Sequence, residues 1–175
     1  MDISYFTDGS IAWNTCCAGY IIHDNASGQS TSYVVRVSKN NIHLAELVAI
    51  KLALIDICNN YDPSNTYNIY TDSDTALRLI KKNDSRQFSE VEEINTILKD
   101  LNYAVNIYLI KSHIVNSPKD QIRYFQNNNG IKLNYSKARH INAGNELVDA
   151  VVRSGTRFND APIYVSTPFV IRLWI

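Results

Sequence analysis

Three extended runs precede the first helical one, and that order constrains this chain more than anything else in it. Residues 3–7, 16–23 and 32–37 are rich in Tyr, Val and Ile, and Asp24-Asn25-Ala26-Ser27-Gly28 separates the last two, a pattern that predicts a hairpin or meander. The spacing of Leu44, Leu47, Val48, Leu52, Leu54 and Ile55 predicts a largely buried helix over 44–58. Strand, helix, helix and strand patterns follow at 67–71, 73–82, 90–101 and 105–110, with a last helix at 143–153. Hairpin strands pair antiparallel, whereas strands joined through helices pair parallel. The expectation is an α/β fold: a five-stranded mixed sheet with helices on both faces.

Composition narrows the setting. The 175 residues suit one domain, expected over 1–160 with an insertion at 112–140 and an apolar C-terminal extension at 161–175. Pro162 and Pro168 make that extension at best an edge strand. Seventeen basic residues balance seventeen acidic ones, which excludes binding nucleic acid by bulk charge while permitting a local basic patch. Cys16, Cys17 and Cys58 have neither disulfide-framework nor zinc spacing and read as small hydrophobes in a reducing compartment. With no signal-peptide pattern and no apolar run of about 18 residues, the expectation is an intracellular, cytoplasmic monomer that does not enter a membrane.

The acids carry the chemistry. Asp8 ends the first predicted strand and Asp72 follows the fourth, so both are expected at the carboxyl edge where such sheets bind ligands. Glu46 falls at the start of the first helix and Asp149 among the aliphatics of the last. Three have an ordinary explanation: a turn at Asp8-Gly9, a dipole-matched acid at Glu46, an N-cap at Asp72; Asp149, flanked by aliphatics, is costly unless its charge is compensated. Together the four have another explanation. Converging carboxylates repel unless cations hold them, and a hard oxygen set suits Mg²⁺ or Mn²⁺, two of which activate water and stabilise the leaving oxygen of a phosphodiester.

Phe6-Thr7-Asp8-Gly9-Ser10, Ala45-Glu46-Leu47, Tyr70-Thr71-Asp72-Ser73 and Gly144-Asn145-Glu146-Leu147-Val148-Asp149 resemble, in order, the four signature blocks of the type 1 ribonuclease H family. The resemblance implies an endoribonuclease that cuts the RNA strand of RNA–DNA hybrids with two Mg²⁺ or Mn²⁺ ions, leaving 5′-phosphate and 3′-hydroxyl ends. It implies that Asp8 bridges both ions, that Glu46 and Asp72 hold one, and that Asp149 holds the other. The family's assisting histidine maps onto His113, directly after the fifth strand, or onto His140, at nearly the usual distance from Asp149. Gly9, Ser10 and Asn14 match the positions that line the hybrid's minor groove, while Asp74 stands where glutamine is common.

Residues 112–140 carry Lys119, Arg123, Lys132, Lys137 and Arg139 against the single acid Asp120, with Tyr124, Phe125 and Tyr135 interleaved. Ser117-Pro118 predicts the start of a short helix ending at Asn129-Gly130. This insertion is expected to grip the hybrid in place of the basic helical handle that some family members carry. Two other functions stay open: a DNA nuclease or integrase-type enzyme using the same acids, and a binding module without catalysis beside a reverse transcriptase or polymerase.

Overall fold

In the computed structural model, residues 1–24, 30–110, 122–126, 135–157 and 161–165 are described. The first strand, β1 (Asp2–Ala12), sets the register for the rest. It pairs antiparallel with β2 (Thr15–Asp24) along its whole length, from Ile3 opposite Asp24 to Ala12 opposite Thr15. On its other side it runs parallel to β4 (Thr66–Thr71), but only from Asp2–Thr66 to Phe6–Tyr70. Asp8 therefore sits mid-strand rather than at a strand end, at the step where β4 stops and β1 continues. The sequence hides this because Asp-Gly looks like a turn, whereas hairpin pairing with β2 carries the strand four residues further.

β3 (Ser30–Val37) completes the meander, and β5 (Val105–Ile110) lies parallel to β4. Two short strands extend the expected five to seven. β6 (Ile122–Gln126) pairs antiparallel with β5, and β7 (Ile163–Tyr164) runs parallel to β3, giving the order β6-β5-β4-β1-β2-β3-β7. The helix predicted from Ser117 is thus corrected in its described part. Ile122, Tyr124 and Phe125 are strand formers, and β5 offered them an unpaired edge. In the described part of the expected apolar extension, Ile163–Tyr164 forms an edge strand.

α1 (Ile42–Asn59), α2 (Asp74–Lys82) and α3 (Glu90–Asp100) share the larger core. α1 buries Leu44, Leu47, Val48, Ile50 and Leu54 against Tyr5, Ala18, Tyr20 and Val35, with α3 adding Val91, Ile94 and Leu98. α4 (Tyr135–Arg157), which begins earlier than the predicted 143, closes the other face with Val148 and Val152 over Phe6, Cys17 and Ile21. Phe6, Tyr70 and Tyr108 stack in a row across β1, β4 and β5, with ring centroids 5.1 and 4.9 Å apart. A Cβ at Gly144 would lie 2.4 Å from the Phe6 ring, so only glycine lets α4 seat there. Cys16 and Cys17 are buried and Cys58 is exposed, all three free. No helix among the described residues is long and apolar enough to cross a membrane.

Candidate active site

The register of β1 and β4 dictates where the first two acids meet. Phe6 stands opposite Tyr70, so two steps further Asp8 comes level with Asp72, on the face that carries the aromatic row. Asp72 does not cap α2. Ser73 does so, its Oγ accepting from the Ala76 amide at 3.1 Å, and the aspartate is left for the cluster. Glu46 enters from α1. That helix begins at Ile42 under an Asn41 cap whose side chain accepts from the His43 and Leu44 amides, which places Glu46 beyond the first turn and away from a dipole role.

Gly9 brings α1 close enough. A Cβ there would lie 2.8 Å from both the Ala45 Cβ and the Glu46 backbone nitrogen, so helix and strand touch where any side chain would part them. α1 packs where a Gly9 side chain would stand, and the Gly9 N–H donates to the Glu46 carboxylate. Carboxylate oxygens of Asp8, Glu46 and Asp72 come within 4.8 Å of one another. Asp149 reaches Asp8 from α4, near enough for a hydrogen bond between the two carboxyl groups. It also pairs with the exposed Arg153 at 3.3 Å, which offsets its charge from the solvent side. Asp8, Glu46 and Asp72 thus form one group, and Asp149 adjoins it through Asp8.

Their electrostatics are unfavourable as they stand. Burial, then the charge of Asp72 and the contact with Asp149, push Asp8 up to about 8. Burial, then Asp8 and Asp72, raise Glu46 well above the usual carboxylate range, with the Gly9 amide acting the other way. Glu46 Oε2 is buried with no hydrogen-bond partner. An oxygen of that kind is costly unless a cation or proton meets it. An orphaned oxygen facing two other hard carboxylates fits a divalent cation of the Mg²⁺ or Mn²⁺ type.

The remaining sequence candidates divide. Ser10 is half-buried on β1, and Asn14 is exposed in the β1–β2 turn, its carbonyl accepting from Asn40 Nδ2 at 2.9 Å. Asp74 is exposed and paired with Arg78 at 2.7 Å. His113 and Lys119 lie outside the described residues. His140 is on α4, nine residues before Asp149, and Arg123 is on β6 opposite Leu109, itself opposite Thr71. The sequence reading missed a cavity of about 370 Å³ beside the α1 N-terminus, lined among others by Lys39, Asn40, Asn41, Arg86, Gln87 and Ser89. Its signal was present: an asparagine pair ahead of the helix and an Arg-Gln pair ahead of α3.

The family model described as RNase H matches residues 1–157. No curated protein sequence matches the chain. Among solved structures, the LC11 RNase H1 isolated from compost superposes with a TM-score of 0.55 at 16% identity, over 88% of this chain and 97% of that one. The same enzyme solved with an RNA/DNA hybrid gives 0.51 at 17%, over 62% and 85%. A foamy viral protease-reverse transcriptase with double-stranded DNA gives 0.55 at 14%, over 89% and 92%. At these identities the likenesses show the fold.

Proposed function

We propose, for a chain that belongs to the ribonuclease H family, that it is an endoribonuclease cutting the RNA strand of RNA–DNA hybrids with two divalent ions, Mg²⁺ or Mn²⁺. The observation that carries this is the convergence of Asp8, Glu46 and Asp72, buried or half-buried, with Glu46 Oε2 unpartnered. Asp8, Glu46, Asp72 and Asp149 would hold the ions. Bound there, the ions supply a nucleophilic water at neutral pH and charge stabilisation for the departing oxygen.

The chain's own residues do the rest. Burial by α1 and α4 keeps the carboxylates in a low-dielectric setting where a phosphate's developing charge is felt strongly. Gly9 holds Glu46 in place through its amide. Ser10 and Asn14, further along β1 and its turn, would meet the 2′-hydroxyls of the minor groove. The cavity beside the α1 N-terminus has Lys39 and the side-chain amides of Asn40, Asn41 and Gln87 to meet a backbone phosphate, while its Arg86 is paired with Asp84. Arg123 stands two strands from Thr71, roughly 10 Å at normal strand spacing, which supports a gripping role for it, and Lys119 of the insertion would share that role. His113 or His140 would assist proton transfer or product release. Products would carry 5′-phosphate and 3′-hydroxyl ends.

The deciding experiment incubates the chain with labelled RNA–DNA hybrid, double-stranded RNA, double-stranded DNA and each single strand, in Mg²⁺ and in Mn²⁺. Cutting confined to the RNA of the hybrid, and lost in Asp8→Asn, is the expected result. Cutting of DNA would transfer the same acids to a DNA nuclease, and inertness in both metals would make this a binding module.

A further inference from the structure

The turn that joins β1 to β2 holds a tryptophan where sterics disfavour one. Ala12 pairs with Thr15, leaving Trp13 and Asn14 as the two central residues, with φ of 55° and 57°. Such turns favour Asn or Gly because both positions are left-handed, and a bulky side chain there is a backbone outlier. Packing does not compensate, since Trp13 is 81% exposed. Ile11, two residues earlier, is 45% exposed as well. Neither local conformation nor core burial accounts for an indole at this point.

Its surroundings are rigid. Asn40 Nδ2 donates to the Asn14 carbonyl, and the next residue, Asn41, caps the helix that carries Glu46. The Cys16 thiol, directly after the turn, reaches the Asn41 carbonyl at 3.5 Å. The turn is thus fixed to two elements of the acid cluster, the strand of Asp8 and the helix of Glu46. From Asp8 to Trp13 is five residues, roughly 16 Å of strand, well inside one turn of a duplex, roughly 34 Å. A strained, exposed, firmly mounted aromatic beside a site is the arrangement in which backbone strain serves ligand contact.

We propose that Trp13 is a substrate-positioning contact that lays its indole on the shallow groove of the hybrid duplex, packing on sugar and base edges with its Nε1–H free to donate. This rests on the hybrid being the substrate, as argued above. A wide, shallow groove admits a flat ring, and an uncharged one adds affinity without counterion release, so its contribution does not vary with salt.

The test uses the full chain carrying Asp8→Asn, to block cutting, with fluorescence anisotropy of a labelled hybrid. Trp13→Ala and Trp13→Gly are expected to weaken binding by roughly tenfold, within the range for loss of one aromatic contact to nucleic acid, with an unchanged salt slope. Trp13→Phe keeps most of the affinity. Trp13→Gly, which relieves the left-handed backbone, raises Tm by about 2–4 °C while it weakens binding. In a Trp174→Phe background, hybrid quenches the remaining indole. If wild type binds and cuts hybrid but Trp13→Gly binds it equally well and no quenching occurs, the proposal is overturned, including in favour of a protein partner at this turn. A wild-type chain that neither binds nor cuts hybrid would instead bring down the substrate reading itself.

Discussion

Among the described residues, two groups of buried carboxylates differ in what surrounds them. Between α1 and α3, Glu90 and Glu93 surround Lys51, which is 1% exposed. Lys51 Nζ pairs with Glu93 and donates to the Tyr164 hydroxyl at 3.0 Å, and that hydroxyl donates to Glu90 Oε2 at 3.0 Å. Burial lowers the Lys51 pKa, while Glu93 and Glu90 oppose that shift. At the sheet edge, the groups acting most on Asp8 and Glu46 are further carboxylates. One cluster holds a buried cation, Lys51, on the chain; the other meets only Arg153, at the solvent side of Asp149. The first network sets one lysine and a tyrosine hydroxyl against two glutamates, whereas the second sets carboxylates chiefly against one another.

The sharpest way to break this contrast is to exchange one acid in each place. Asp8→Asn should cut hybrid hydrolysis by on the order of a thousandfold, the scale of removing a principal electrostatic stabiliser. The metal-free variant should be no less stable than the parent, because a repelling charge is gone. Glu93→Gln should do the reverse, lowering the urea midpoint while hydrolysis by the folded fraction changes only a few-fold. Equal loss of activity from both would erase the distinction.

Lys51→Met tests the lysine-bearing cluster from its cationic side. Removing one partner of a buried pair strands the other, at a cost of about 3–5 kcal/mol, read from urea unfolding. The double variant Lys51→Met/Glu93→Gln should lose less than the two single losses added together, since the stranded charge goes as well. The edge cluster should respond instead to metal and pH. Mg²⁺ at a hundred times its Kd should stabilise the chain by about 2.7 kcal/mol. In EDTA, Asp8 keeps its proton up to about pH 8 when folded but loses it near 4 when unfolded, so the native state binds more protons across that window. Stability should therefore fall as pH rises from about 4 to 8, by at most about 1.4 kcal/mol per unit. Thermal melts of Asp8→Asn should show a flatter profile, and a parent profile that rises over that window would contradict the assignment.

The two clusters also differ in how far they could be read from sequence. Asp8, Glu46 and Asp72 sit in short local patterns on strongly periodic elements, so neighbouring residues announce them. Lys51 stands in an apolar helix, where a lysine reads as the solvent-facing position. Its partner Glu93 is distant in sequence, and only tertiary packing joins them. The same limit hid β6 and the full length of β1: edge pairing and hairpin extension are settled by the partner strand, while Ser117-Pro118 and Asp8-Gly9 carry local signals for other structures. Trp13 went unread because a turn position says nothing of the strain that its side chain brings.

Tyr164 offers the smallest and most discriminating change. It belongs to the two-residue strand β7, whose pairing with β3 is slight, with Arg36 and Ser38 amides donating to the Pro162 and Tyr164 carbonyls. What else fixes it is its hydroxyl, set between Lys51 and Glu90, and its ring, 5.2 Å from the Lys51 ammonium. Tyr164→Phe keeps the ring and removes the hydroxyl, leaving Glu90 without that donor and Lys51 without that acceptor. The loss should be about 1–2 kcal/mol, with faster amide exchange at Arg36 and Ser38 and unaltered hybrid cleavage. If cleavage falls in step with stability, the two clusters are coupled through α1, which carries both Glu46 and Lys51, and the division between fold and ligand would give way to a single charge network.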